Sequence, residues 1–183
     1  MKSCGQTEKQ SVLQHGFSVK NYLFDLLDHL EHSRDLKYEW RIPDWVYENQ
    51  DFILESLPHR ETLKLYTIFH DCGKPFCITF DADGKRHFPD HAKVSYEVFK
   101  YHFNNDTAAE LILHDMDIHT LKSEGVEEFS KNPHAITLLI TGLAETHSNA
   151  AMFGGMDSTS FKIKYKSICQ RGKQIINILK QKK

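Results

Sequence analysis

The sequence predicts an all-α protein, a single bundle of six to eight helices over residues 1–183. Three observations lead to this expectation. Apolar side chains recur at three- and four-residue steps along most of the chain. Capping residues, prolines and glycines bound the segments that show this spacing. Strand-like composition is confined to one short stretch, and the proportions of apolar (40%) and charged (26%) residues are ordinary for one globular domain.

Three helices are expected in the first part of the chain. The first lies in residues 8–31, where one apolar stripe recurs at helical spacing. The stripe consists of Val12, His15, Val19, Leu23, Leu26, Leu27 and Leu30. The second helix begins near Asp44 and ends before Pro58. The third runs from about His59 to Asp71, because a glycine and a proline follow it as a stop signal.

The second part of the chain is also expected to be helical, after one interruption. Residues 76–88 contain two short aromatic runs that flank an Asp-Gly pair, which predicts a small β-hairpin or a long loop. A fourth helix begins after Asp90 and a fifth begins at Asn105, since both residues favour helix N-caps. Two more helices are expected near residues 133–148 and 158–181.

Charge is divided unevenly along the chain. Residues 158–183 contain eight Lys or Arg residues and no acid, whereas the rest of the chain has 15 basic and 25 acidic residues. The basic C-terminal helix is therefore either a solvated helix face or a surface that attracts phosphates.

The sequence carries no signal for export or membrane insertion. No stretch reaches about 18 uninterrupted apolar residues, and the N-terminus lacks the apolar centre of a signal peptide. The four cysteines form no C-x-x-C pair, so they are expected in the core rather than in a zinc or disulfide framework. We expect a cytoplasmic protein without a membrane partner. No protein partner or oligomeric state is implied.

The pair His70-Asp71 is the most informative feature of the sequence. A carboxylate at the C-terminal end of a helix faces exposed carbonyl groups, which disfavours it by up to about 1 kcal/mol unless a cation compensates. His70 follows Leu63 and Tyr66 at helical spacing, so its ring is expected beside the carboxylate. An imidazole nitrogen with a carboxylate oxygen suits a divalent ion such as Mn, Mg, Ni, Co, Fe or Zn.

Several further histidines are expected at inward positions. His15 lies on the apolar stripe of the first helix, and His91 opens the fourth. His114 and His119 end the helix that follows. Any one of them is most simply explained as an ordinary hydrogen-bonded histidine. Their number, together with His70-Asp71, favours a metal site.

The segment FHDCGKPFCITFDADGKRHFPDHAKVSYEVF resembles the HD-domain phosphohydrolases. It follows a helix that bears one histidine, and LILHDMDIHTL resembles the family's next helix. The likeness spans roughly residues 10–150 and is greatest to the HD domain of bacterial CCA-adding tRNA nucleotidyltransferases. It implies a metal-dependent hydrolase that binds one or two divalent ions.

The resemblance also implies roles for particular residues. His15, His70 and Asp71 correspond to the ligands of a first ion, and His91 and His114 are available for a second. The family's later aspartate is missing, because the corresponding helix reads LAETHSNA. Residues two apart on a helix point about 200° apart, so either Glu145 or His147 can be the last ligand, and the sequence favours His147 slightly.

The remaining candidates concern the substrate. Lys74 matches the lysine of the family's HD-x-GK motif and is a candidate phosphate contact, although it is equally explained as a cation at a helix end. Asp71 is expected to orient the attacking water. His119 and Asn149 are candidate substrate contacts.

The function that these residues imply is hydrolysis of a phosphomonoester or cyclic phosphodiester on a nucleotide or an RNA end. The resemblance points to 2′,3′-cyclic phosphate or 2′-phosphate groups. A 5′-nucleotidase or a hydrolase of a nucleotide signal is the first alternative. The second is a non-catalytic sensor module of HD fold, which the missing aspartate brings into consideration.

Overall fold

The computed structural model describes residues 1–7 and 10–181 and confirms the all-α class. Helices make up most of the described chain, and the only sheet in it has two short antiparallel strands. The helices are α1 Val12–His32, α2 Asp44–Glu48, α3 Gln50–Glu55, α4 Arg60–Phe69, α5 Lys74–Cys77, α6 His91–His102, α7 Asp106–Leu113, α8 Asp115–Thr120, α9 Val126–Phe129, α10 Ala135–Ser148 and α11 Thr159–Gln181. Two 3-10 turns lie at Ser123–Gly125 and Ala150–Phe153.

The β-hairpin lies where the aromatic runs and the Asp-Gly pair predict it. Strand β1, Thr79–Phe80, pairs with β2, Arg86–His87, so that Thr79 faces His87 and Phe80 faces Arg86. Gly84 occupies the turn with a φ of 75°, a conformation that glycine adopts without a steric penalty. The interruption between the third and fourth predicted helices is therefore confirmed.

The helices are more fragmented than the sequence predicts, with eleven in the described residues instead of six to eight. The second predicted helix is split into α2 and α3, because Asn49 has φ −129° and ψ 26° and leaves the helical region. The fifth predicted helix, expected to end with His114 and His119, is likewise split into α7 and α8, because His114 has φ −98° and ψ 6° and leaves the helical region. The short helices α5 and α9 were not predicted, since four residues show too few apolar repeats to reveal a period.

The chain divides into two compact units, and the first contains residues Met1–Lys20 and Pro58–Met116. Within unit 1, α6 packs against α5 and α7, and α4 packs against α7. Its fully buried side chains include Leu63, Tyr66, Phe99, Leu111 and Ile112. The predicted third helix forms as α4, although it ends at Phe69, two residues earlier than expected.

The second unit contains residues Asn21–Leu57 and Asp117–Lys183. Within unit 2, α10 is buried along nearly its whole length and packs against α11, which also contacts α9. Its core includes Leu138, Leu139, Leu143, Phe161 and Ile175. The organisation of the whole chain as a single domain stays a prediction. In the described part of the chain, none of the helices combines the length and the apolar character needed to cross a membrane.

Candidate metal centre

The turn after α4 places His70 and Asp71, and a glycine lets it lie against α6. The Gly73 N–H donates to Ser95 Oγ over 2.8 Å. A Cβ atom at Gly73 would lie 2.3 Å from the backbone nitrogen of Ser95, which is closer than real Cβ atoms come. Because α6 begins at His91, this close approach sets the distance between His91 and the turn.

A second close approach positions His15 in unit 1. A Cβ atom at Gly16 would lie 2.2 Å from the carbonyl oxygen of Ile68, so the backbones of α1 and α4 come into direct contact. As a result the rings of His15 and His70 meet edge to face, with their centroids 5.1 Å apart. Both side chains are buried, with 0% and 3% of their surface exposed.

Asp71 is the centre of this group of side chains. Its Oδ2 lies 3.4 Å from His70 Nε2 and 3.8 Å from His15 Nε2, while its Oδ1 lies 3.6 Å from His91 Nε2. Lys74 Nζ donates to Oδ2 over 2.6 Å. The carboxylate is 2% exposed. Unit 1 thus brings together five of the residues that the sequence singles out.

The hydrogen bonds of two imidazoles fix which nitrogen carries the proton. His70 Nδ1 lies 2.8 Å from the carbonyl oxygen of Thr67, and His91 Nδ1 lies 3.0 Å from that of Phe88. A carbonyl only accepts, so both Nδ1 atoms are protonated and donate. In the neutral rings each Nε2 then carries a lone pair, and both Nε2 atoms face the carboxylate of Asp71.

Lone pairs that face a carboxylate at this distance repel it unless a positive charge lies between them, either a second proton on the ring or a metal ion. Ions of the zinc type bind nitrogen and oxygen at about 2.0–2.2 Å, which sets neighbouring ligand atoms roughly 3–3.5 Å apart. The distances around Asp71 are near this range. Backbone carbonyls that orient the far nitrogen are also the usual support of metal-binding histidines. The donor set therefore fits a divalent metal ion.

Neighbouring side chains stabilise the ionised form of Asp71. Burial by itself would raise the pKa of Asp71, but His70, Lys74 and His15 outweigh it and hold this pKa below its ordinary value. Lys74 is itself buried, and its Nζ also donates to Gln6 Oε1 over 2.9 Å. The carboxylate is thus ionised and available as a ligand.

Cys72, beside the central pair, behaves as the core residue that the sequence predicts. It is buried, and its Sγ donates to the carbonyl oxygen of Ser95 over 3.3 Å. Burial, together with the nearby charge of Asp71, raises the pKa of the thiol to about 12. The thiol therefore stays protonated at neutral pH. Cys77 is half-buried.

Three predicted site residues contact one another within unit 2. His119 Nε2 lies 2.8 Å from Glu145 Oε2, and Asn149 Nδ2 donates to Glu145 Oε1 over 3.3 Å. Glu145 and Asn149 are one helical turn apart on and just after α10. His114 lies in unit 1 as the C-cap residue of α7 and is half-buried. Its metal-binding role stays a prediction.

His147 is a buried histidine with both ring nitrogens engaged. Its Nδ1 lies 2.8 Å from the carbonyl oxygen of Leu143, and its Nε2 accepts from the Arg41 backbone N–H over 3.1 Å. The ring packs on Trp40, with centroids 4.5 Å apart, and edge-on against Phe161. In this arrangement the Nε2 lone pair is used within unit 2.

Sequence reasoning missed the residues that support the centre. Gln6 and Ser95 contact Lys74 and Gly73 through single hydrogen bonds between distant parts of the chain. Thr67 and Phe88 act through backbone carbonyls, which no side-chain pattern reveals. Only the contact between Thr67 and His70 had a sequence signal, because residues three positions apart lie close together at the end of a helix.

Comparison with known proteins agrees with this geometry at the level of the family. The family model described as the HD domain matches residues 12–145, which is more than half of the chain. The chain therefore belongs to the HD-domain family, whose members are generally metal-dependent hydrolases that bind divalent ions. No curated protein and no solved structure matches the chain significantly. The match identifies the family and does not point to a branch of it.

Proposed function

We propose that this protein is a metal-dependent phosphohydrolase that acts on a phosphate group of a nucleotide or an RNA end. One observation carries the proposal: two imidazoles with their Nδ1 protons committed to backbone carbonyls direct Nε2 at the buried carboxylate of Asp71. That arrangement calls for a cation. Membership of the HD-domain family supplies the class of reaction.

The ligand set that we propose follows the two oxygens of Asp71. His15 and His70 lie on the Oδ2 side and are the proposed ligands of a first ion together with Asp71. His91 lies on the Oδ1 side, so it is the proposed histidine of a second ion. A carboxylate with histidines on both oxygens can serve one ion or bridge two.

Glu145 and His147 are the two predictions for the last ligand, and their contacts within unit 2 favour Glu145 over the slight preference that the sequence gives to His147. His147 has no uncommitted lone pair in the contacts described for it, because Nε2 accepts from Arg41 and Nδ1 donates to Leu143. Glu145 is a carboxylate that accepts from His119 and Asn149, and a carboxylate oxygen can accept a hydrogen bond and bind a cation at the same time.

The residues of the centre divide the chemistry between them. The chemistry that a divalent ion supplies when bound is activation of water and neutralisation of charge on phosphoryl oxygens. Asp71 then orients the attacking water and accepts a hydrogen bond from it. The ammonium group of Lys74 has three donors, of which Asp71 and Gln6 take two. The third donor is proposed to bind a phosphate oxygen.

The substrate proposal rests on the resemblance of HD-x-GK and its following helix to the CCA-type branch. It favours 2′,3′-cyclic phosphate or 2′-phosphate groups over 5′-phosphates. A 5′-nucleotidase or a nucleotide-signal hydrolase uses the same centre on a different phosphate. The structure favours no second class of function by a separate observation.

A phosphate-release screen tests the proposal. The substrates are nucleoside 2′-, 3′-, 5′- and 2′,3′-cyclic phosphates, each with Mg, Mn, Ni and Co. We expect turnover of the cyclic or 2′-phosphates with at least one ion, and loss of at least about a thousandfold in kcat/KM in Asp71→Ala, since several kcal/mol of metal chemistry are removed. Asp83→Ala, an exposed acid of the hairpin turn, is the control. Equal turnover by wild type and Asp71→Ala contradicts the mechanism.

A further inference from the structure

We propose that α11 carries a binding surface for the phosphate backbone of RNA, separate from the metal centre. Four of its lysines, Lys162, Lys166, Lys173 and Lys180, are exposed. At about 100° per residue they fall within an arc of roughly 40° on the helix. They extend over about 27 Å of the helix axis at 1.5 Å per residue. We call this row the lysine stripe.

A groove lined by polar residue types adjoins the lysine stripe within unit 2. It has a volume of about 490 Å³ and is lined by Ser123, Gln170, Arg171, Lys173, Gln174 and Asn177. Each lining side chain is a cation, an amide or a hydroxyl group. Such groups bind phosphate and sugar oxygens in nucleic-acid complexes. Lys173 belongs to both the groove and the stripe, so the two features form one surface.

The charge of the stripe is only partly compensated by its contacts. Lys162 Nζ lies 3.6 Å from Asp157 Oδ1, and the same carboxylate accepts from Arg41 Nη2 over 2.8 Å. Lys180 Nζ donates to the neutral amide oxygen of Asn49 over 2.9 Å. Residues 158–183 contain no acid at all. The helix therefore presents net positive charge to a polyanion.

The packing of α11 favours RNA over a membrane as the partner. A helix that lies on a bilayer inserts its apolar face into the lipid. The apolar side chains Phe161, Ile168 and Ile175 of α11 are instead buried in unit 2. The neutral donors and acceptors of the groove can also bond to the 2′-hydroxyl group, which DNA lacks. RNA is thus the occupant that matches both the charge and the neutral groups.

Binding of a fluorescent single-stranded RNA with hydroxyl groups at both ends tests the proposal by anisotropy at several salt concentrations. In the variant with all four stripe lysines changed to Gln we expect Kd to rise at least about tenfold at low salt. The negative slope of log K against log salt becomes less steep by about 3, since each phosphate contact on a single strand contributes about −0.7. The corresponding Lys→Arg variant is expected to restore both quantities.

A control variant loses the same number of charges elsewhere. It carries Lys→Gln changes at the exposed positions Lys64, Lys85, Lys100 and Lys131. Equal weakening by this control and by the stripe variant overturns the proposal, as does an unchanged Kd in the stripe variant.

Equal affinity for DNA of the same sequence overturns the assignment to RNA. Binding of phosphatidylserine vesicles without binding of RNA overturns it in favour of a membrane surface. Because the RNA carries no terminal phosphate, the outcome does not depend on the proposed hydrolysis.

Discussion

At the scale of single residues, the buried carboxylate of Asp71 requires its neighbours. An ionised carboxylate in the interior costs several kcal/mol unless it is paired and hydrogen-bonded. Lys74 supplies one compensating charge, and the Nε2 atoms of His70 and His91 lie 3.4 and 3.6 Å from the carboxylate oxygens. One ammonium group does not account for three imidazoles around one carboxylate. A metal ion explains why these residue types occur together.

His147 shows how far the role of a residue as a metal ligand can be predicted from its position on a helix. His147, which helical spacing makes one of two alternatives for the last ligand, is 1% exposed. The spacing carries no information on the backbone N–H of Arg41, which lies more than one hundred positions earlier and uses the lone pair of His147. The proposal of Glu145 over His147 as the last ligand therefore depends on a long-range contact that cannot be predicted from helical spacing.

The first prediction concerns the pH dependence of stability due to His147. Burial lowers the pKa of His147 below its ordinary value of 6.5, so the unfolded chain takes up the proton at a higher pH than the folded one. The stabilising contribution is present above about pH 6.5 and is lost as the pH falls toward the folded pKa. His147→Phe removes this contribution and leaves the Arg41 N–H without its acceptor, at a cost of about 1–3 kcal/mol.

Urea unfolding at pH 7.5 and pH 5.5 measures the effect. We expect His147→Phe to be less stable than wild type at pH 7.5 and the difference to shrink at pH 5.5. His32→Gln, which removes a histidine from an exposed position, serves as the control. A difference between wild type and His147→Phe that is the same at both pH values would show that the ring does not titrate differently on folding.

At the scale of elements, the long helices were predicted from their apolar spacing. The long helices α1, α10 and α11 lie close to their expected bounds because each repeats the period several times. Asn105 caps α7 as expected, since its side chain accepts from the Ala108 N–H over 2.9 Å. The break at Asn49 was not predicted, and α4 ends at Phe69, two residues before the end that the glycine and proline stop signal indicated.

The second prediction concerns the contact between α1 and α4. Gly16→Ala forces a methyl group against the carbonyl of Ile68, and such overpacking costs about 1–3 kcal/mol. Because His15 is the preceding residue, its ring moves away from Asp71 and metal affinity falls as well. Denaturant unfolding and a metal titration measure the two effects.

Gly125→Ala is the matched control for this substitution. Gly125 has a φ of −90°, and a Cβ atom there would meet only a flexible Leu121 methyl group at 3.3 Å. We expect a change in stability within about 0.5 kcal/mol, as at ordinary surface sites. A Gly16→Ala protein as stable as the Gly125→Ala protein would mean that α1 and α4 can separate without cost.

At the scale of the whole molecule, the all-α fold class and the family could be predicted from the sequence. The contacts that decide between candidate ligands could not. Helical periodicity predicts the all-α fold, and the HD-x-GK segment predicts the family that the comparison identifies over residues 12–145. The excess of Lys and Arg near the C-terminus could be counted in the sequence. That four of the lysines form one stripe on α11 followed only from the bounds and the buried face of that helix. The division into two compact units was not predicted.

The most direct test of the central claim is a calorimetric titration of metal-free protein with Mn²⁺, comparing wild type with Asp71→Asn. We expect wild type to bind one or two equivalents and to gain thermal stability with excess metal, because a ligand at 100 times its Kd contributes about 2.7 kcal/mol. Asp71→Asn is expected to lose at least about a hundredfold in affinity, the upper end of what even a supporting residue contributes. His91→Ala, at a partly exposed position, gives a second measurement if Asp71→Asn is poorly folded. Wild-type stoichiometry and affinity in a folded Asp71→Asn protein would show that this carboxylate is not the centre of a metal site.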